Sequence, residues 1–273
     1  MWNISQATSF LDVLISASTG YFQPILMIHG MLYKAWCSPI FLQFLQAGTV
    51  VSGVIPLYLM AREKFPEKLW IITIVFLYLL YPPVEFNATM EFHPDHICIP
   101  LFLWAFYMVE KGKYWQSVII VGLGGLAKEP LLLNAAFFGL YIVLAKGKWR
   151  IGISTFVFYL ILFSTIIFIV QPSLTPYYKQ IGSVVHGSNF GYLVPSNSES
   201  VADYLSKVIH GILTWKSRKM LLVVFLLAPF LCIPLIKGYK FIPALPSLFI
   251  SFLSLYPFHS AFDGQYTSAI IPS

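Results

Sequence analysis

The sequence predicts an all-α fold, a polytopic transmembrane helical bundle, and three observations carry that prediction. Of its 273 residues 58% are apolar and 17% aromatic, while only 10% are charged, against roughly 25% in ordinary soluble domains. So few charged side chains could not clothe a water-facing surface. The charges also cluster, leaving uncharged stretches that approach the roughly 20 residues a helix needs to cross a bilayer. Finally, the basic residues fall in short loops on one side of alternating stretches, as Lys and Arg do when loops stay cytoplasmic. The formal charge of +6 therefore reads as membrane topology. No Lys/Arg-rich run supports nucleic acid as a partner.

The uncharged stretches are 39–61, 69–84, 97–109, 114–127, 130–145, 151–170, 220–236 and 241–258, which makes about eight membrane segments. The first reaches about 34 Å at ~1.5 Å per residue, whereas 114–127 reaches only about 21 Å, short of a hydrocarbon core of ~30 Å. That short stretch ends in Lys128-Glu129-Pro130. A final apolar start at 265–273 ends after about two helical turns, so the C-terminal segment is expected to be truncated. Nothing divides the chain, and 1–273 is expected to form a single transmembrane domain of the plasma membrane. The first ten residues, MWNISQATSF, lack the basic and apolar regions of a cleaved signal peptide.

If each stretch is one pass, Arg62, Lys64, Lys68, Lys111, Lys113, Lys146, Lys148, Arg150, Lys237 and Lys240 share the cytoplasmic side, 10 of the 17 basic residues. Outside then lie 1–20 with Asp12, 85–96, the Lys128-Glu129 break, the loop 171–219, and 259–265. Within the long loop, Val201, Tyr204, Leu205, Val208, Ile209, Ile212 and Leu213 recur at helical spacing behind Ser200-x-x-Asp203, predicting one external amphipathic helix at the interface. Packing on neighbouring loops would give the same pattern. Asn3-Ile-Ser5 and Asn87-Ala-Thr89 match the glycosylation acceptor pattern, a three-residue signal common by chance. Cys37, Cys98 and Cys232 are an odd, scattered set and predict neither a disulfide framework nor a zinc site.

Chemically capable side chains gather externally. Glu91-Phe92-His93-Pro94-Asp95-His96 is the densest cluster. Pro94 and Asp95 suit a helix start, but capping requires neither Glu91 nor the histidines. A divalent metal at His93 and His96 is chemically allowed, although the spacing matches no strong zinc signature. Lys128-Glu129 is the second candidate, because ionisable groups at membrane depth usually face a partner or a wet cavity. A lysine beside a new helix N-terminus suits an anion such as phosphate. A structural ion pair of Lys128 with Glu91 or Asp95 is the alternative. His259, Asp263, Gln265 and Tyr266 form a third polar group before the last apolar stretch, and Asp12 is an isolated carboxylate. His29 reads as a hydrogen-bonded packing residue, and nothing in the spacing of His186 and Tyr192 argues for a ligand.

The order of YFQPILMIHGMLY, SPIFLQFLQAGTVVSGVIPLYLMARE, EFHPDH, LAKEPLLLNAAFFGLYIVL, ALPSLFISFLS and QYTSAIIP resembles the prokaryotic multi-pass family called domain of unknown function 2079. That family is similar to the GT-C superfamily of lipid-linked-sugar glycosyltransferases. The resemblance covers about residues 10–273. Its FHP-acid motif falls on Phe92, His93, Pro94 and Asp95, and its Lys-Glu motif on Lys128 and Glu129. The chain departs from the family at Tyr21, where His is usual, at Pro130, where an acid is usual, and at Gln265-Tyr266, where a His-Tyr pair is usual. GT-C enzymes also place a transmembrane helix and an acidic motif first, and no such helix precedes Asp12.

The resemblance implies transfer of a sugar from a polyprenyl-phosphate donor on the outer face, with membrane lipid and the lipid-linked sugar as partners. Asp95, Glu91, Glu129 and Asp12 are the candidate carboxylates. Lys128, His93, His96, His259, Gln265 and Tyr266 are the candidate substrate contacts, and no metal ligand is assigned. Two other readings compete: a transporter or lipid flippase, since ionisable residues at broken helices also mark carrier pathways, and a non-catalytic membrane subunit. No inverted repeat favours the carrier.

Overall fold

The computed structural model describes residues 21–174, 200–227, 233–255, 267–268 and 270–271. Among them every regular element is helical, so the all-α prediction holds. The α-helices are α1 (Ile25–Ala35), α2 (Pro39–Ser52), α3 (Val54–Lys64), α4 (Lys68–Leu79), α5 (Pro82–Thr89), α6 (Cys98–Glu110), α7 (Tyr114–Leu123), α8 (Leu131–Lys146), α9 (Trp149–Thr165), α10 (Val201–Leu213), α11 (Lys216–Leu227) and α12 (Leu245–Leu253). Short 3₁₀ turns at Pro94–Ile97 and Gly124–Leu126, a π turn at Ile166–Val170, a helical turn at Gln171–Leu174 and a 3₁₀ stretch at Ile233–Ala244 connect them.

Proline and glycine set the boundaries. Pro39, Pro82 and Pro246 stand in the first turns of α2, α5 and α12, where a missing N–H costs nothing. Gly147 ends α8 at φ 65°, a left-handed geometry that favours glycine. Gly53 marks the α2–α3 junction. There the Tyr78 hydroxyl donates to the Val50 carbonyl at 2.6 Å and fills the space a Cβ would take.

Two continuous runs are long and apolar enough to cross a membrane: Pro39–Lys64, 26 residues, and Trp149–Ser173, 25 residues. Lys68–Leu79 and Pro82–Thr89 form a third if their 52° bend is one broken span. The eight predicted segments are thus not eight full-length helices among the described residues. Stretch 97–109 folds as the 13-residue α6, about 20 Å long at 1.5 Å per residue. Stretch 114–127 folds as α7 plus its 3₁₀ turn. Stretch 220–236 passes beyond the described residues after Leu227. The physical cause is punctuation: Pro82-Pro83 and Gly124-Gly125 interrupt runs that composition alone reads as continuous.

Ion pairs gather the loops at each end. Lys111 at the end of α6 pairs with Glu63 on α3 at 2.6 Å, and Lys146 at the end of α8 pairs with Glu110 on α6 at 3.1 Å. These are loops predicted to share the cytoplasmic side. Opposite them, Lys128 pairs with Asp95 at 3.2 Å. Between the two ends α8 is the central helix. Gly139 on α8 meets Gly152 on α9 so closely that a Cβ on either would strike the other's carbonyl oxygen, the small-residue contact by which membrane helices approach. On its other side, Phe138 and Tyr141 pack edge-on against Phe106 at ring separations of 5.2 and 5.0 Å. The outer faces of α4, α9 and the π turn that follows α9 expose Leu69, Trp70, Phe76, Ile161 and Phe168, a surface suited to hydrocarbon rather than water.

The predicted external helix forms as α10, with the Asp203 N–H donating to the Ser200 hydroxyl at 3.2 Å. Its apolar side, Val201, Leu205, Ile209 and Ile212, stays exposed. Lys219 on α11 folds back beneath it and donates to the carbonyls of Gly211, Ile212 and Phe252 at 2.7, 3.2 and 2.7 Å. One lysine therefore caps the C-terminus of α10 and ties it to α12.

Candidate functional site

Asp95, Lys128 and Glu129 are brought together from sequence positions more than thirty residues apart, and all three are buried, at 2%, 5% and 0% exposure. Asp95 is set by the turn Pro94–Ile97, which opens α6. Lys128 and Glu129 occupy the non-helical break between the Gly124–Leu126 turn and α8. The Lys128 ammonium lies 3.2 Å from Asp95 Oδ2 and 4.1 Å from the centre of the Tyr21 ring, a cation–π contact. The Phe22 N–H donates to Glu129 Oε2 at 2.7 Å. Among the described residues Asp95 Oδ1 has no hydrogen-bond partner.

These groups line part of the wall of a cavity of about 590 Å³. Its remaining wall is largely apolar, from Leu133 and Phe137 on α8, Phe163 and Ile167 on and after α9, and Phe249 and Ile250 on α12, with Ser247, Ser251 and Ser268 interspersed. A second cavity of about 360 Å³ shares Tyr21 and Lys128 and is otherwise lined by Gln23, Leu26, Phe92, His93 and Pro94. Lys128 and Tyr21 thus stand between two spaces of different chemistry.

The turn carrying Asp95 is held by Gln46 on α2. Buried Gln46 donates from Nε2 to the carbonyls of Asn87 and Met90 at 2.9 and 3.1 Å, and its Oε1 accepts from the His93 N–H at 2.9 Å. Asn87 in turn donates to the Pro83 carbonyl and the Thr267 hydroxyl, both at 2.8 Å. One amide therefore satisfies the end of α5 and the entry to the turn together.

The other predicted residues divide. His93 lines the second cavity, with Nδ1 donating to the Glu91 carbonyl at 2.8 Å. His96 is buried, its Nδ1 held by the His93 carbonyl and its ring 6.1 Å from His29 and 5.7 Å from Phe92. Burial lowers its pKa below the usual 6.5. His29 is a buried packing residue edge-on to Phe92. Glu91 is exposed and lies outside both cavity linings. Asp12, His259, Asp263, Gln265, Tyr266, His186 and Tyr192 fall outside the described residues.

One expectation needs correction. The start of α8 does not offer free amides to an anion, because the Leu131, Leu132 and Leu133 N–H groups already donate to the carbonyls of Lys128, Glu129 and Pro130 at 3.1, 3.0 and 3.0 Å. Among the described residues no group of three or more His, Cys, Asp or Glu side chains is placed to hold a metal ion. Gln46, Gln171 and Lys219 were not anticipated. A polar side chain within or bordering an apolar stretch is the signal that marks each: Gln46 stands inside 39–61, while Gln171 and Lys219 border 151–170 and 220–236.

Fold and site together define a helical membrane protein with a buried ionisable trio in the wall of a largely apolar cavity. The chain belongs to the family described as predicted membrane protein (DUF2079), whose model matches residues 19–273. No curated protein and no solved structure matches it.

Proposed function

We propose that the chain is a multi-pass plasma-membrane glycosyltransferase of the GT-C kind, moving a sugar from a polyprenyl-phosphate donor to a hydroxyl acceptor on the outer face. The observation that carries the reading is the trio Asp95, Lys128 and Glu129 in the wall of a largely apolar cavity, away from the basic loops that the Glu63–Lys111 and Glu110–Lys146 pairs gather. In the reaction the acceptor oxygen forms a bond to the anomeric carbon while the bond from that carbon to the phosphate oxygen breaks. The electron pair leaves on the phosphate, and the hydroxyl proton passes to a carboxylate. Asp95 or Glu129 supplies that base. Lys128 faces the charge gathering on the departing phosphate, and His93 orients the donor from the second cavity.

The test incubates membranes with radiolabelled polyprenyl-phosphate sugars and follows label in wild type, Lys128→Ala and Asp95→Ala. Transfer by wild type that falls at least about a hundredfold in both variants, the scale of one lost charge-stabilising group, supports the enzyme. Counterflow of sugar or lipid without covalent transfer would establish the carrier instead, and neither transfer nor counterflow a non-catalytic subunit.

A further inference from the structure

We infer that the 590 Å³ cavity is the seat of the acceptor, an uncharged amphiphile whose chain lies against Phe137 and Ile250 and whose hydroxyl donates to Asp95 Oδ1. The inference rests on the transfer reaction proposed above and assigns its two substrates to separate cavities. Three observations favour a neutral hydroxyl over a phosphate here. First, the one cation lining this cavity among the described residues is already paired, Lys128 to Asp95 at 3.2 Å, with Glu129 beside it. With Glu129 ionised the trio carries one net negative charge, and with Glu129 protonated none. In neither state does it present the net positive charge that would offset the desolvation of a buried anion. Second, the amides opening α8 are spent within their own turn, so the usual anion site of a helix N-terminus is closed.

Third, Asp95 lines the cavity, and its buried Oδ1 lacks a hydrogen-bond partner among the described residues. An unsatisfied buried carboxylate oxygen is costly, and the group that satisfies it must be a donor. An alcohol is a donor, whereas an ionised phosphate is an acceptor. The apolar wall fits a hydrocarbon chain, so the ligand combines the two. The donor phosphate is left to the second cavity, where Lys128 is joined by Gln23, whose side-chain amide carries N–H donors, and by His93. The Tyr21 ring, shared by both linings and 4.1 Å from the Lys128 ammonium, separates the two substrates.

The experiment uses the full chain in nanodiscs and a photoreactive long-chain alcohol, with labelled peptides read by mass spectrometry. Unlabelled hexadecanol and hexadecyl phosphate compete. The inference predicts labelling on α8 and α12, competition by the alcohol at a concentration about tenfold below that of the phosphate, and a loss of about tenfold in Ser251→Leu, which fills the cavity while keeping the trio. Asp95→Asn keeps an oxygen acceptor at lower strength and should reduce labelling less than Asp95→Leu. Equal or better competition by the phosphate, or labelling unchanged in Ser251→Leu, would overturn the assignment. Labelling needs no turnover. Alcohol capture without sugar transfer therefore refutes the transferase and leaves the cavity assignment standing, while transfer without labelling does the reverse.

Discussion

At the residue scale, Lys128 and Asp95 are two opposite charges removed from water together, and each is tolerable only because of the other. Removing one partner of a buried pair leaves an uncompensated charge, which typically costs about 3–5 kcal/mol. Lys128→Ala and Asp95→Ala should therefore each lower the thermal midpoint in detergent, and the double variant should lie closer to wild type than the sum of the two. Additive losses in that double-mutant cycle would show that the pair is not coupled. His96 makes a prediction of opposite origin. Its folded pKa is depressed, so its neutral form contributes stability that is complete above the usual 6.5 and is lost as pH falls below that value. His29 and Asp95 adjoin it, so the contrast to measure is wild type against His96→Gln. The acid loss of thermal stability should shrink in the variant, and an unchanged pH profile would assign it to another group.

At the element scale, the helices were legible wherever periodic apolar sequence met clear punctuation. The α7–α8 break at Lys128-Glu129, the Pro94 turn and α10 all fall where the residues placed them. The count of full-length spans was not legible. A Pro-Pro or Gly-Gly pair inside an apolar run reads equally as a tolerated kink or a stop, and only the packing of the neighbours decides. The Gln46 strut was hidden for a related reason: its partners are backbone atoms of Asn87, Met90 and His93, which carry no residue-type signature. Its consequence is testable. Gln46→Leu strands two carbonyls and one N–H, a loss of about 1–3 kcal/mol for each group left unpaired. Hydrogen exchange across 87–96 should rise while α8 and α9 stay protected, and uniform exchange throughout would deny Gln46 a local role. On α8 and α9, Gly139→Leu should collapse the close approach to Gly152 and lower the yield of folded protein, whereas Gly48→Leu, with open space around it, should not.

At the scale of the whole molecule, the account depends on two ends of unlike chemistry. One is basic, with its helix termini joined by Glu63–Lys111 and Glu110–Lys146. The other holds the buried trio, two cavities and an amphipathic helix with an exposed apolar face. The helices α6 and α7 are short, each closer to 20 than to 30 Å, and the trio stands at the breaks from which α6 and α8 begin. The grouping of the basic loops at one end was readable in the sequence, because the loop charges predict it. The cavity was not, because its wall is assembled from α8, α9 and α12, segments with no feature in common except being apolar. The most direct measurement is thiol accessibility in oriented membranes, with the native cysteines replaced and single cysteines placed by Gln23→Cys, His93→Cys, Lys113→Cys and Lys148→Cys. The account predicts that a membrane-impermeant reagent labels the first two from the extracytoplasmic side alone and the last two from the cytoplasmic side alone. Labelling of position 23 or 93 from the same side as position 113 would contradict it.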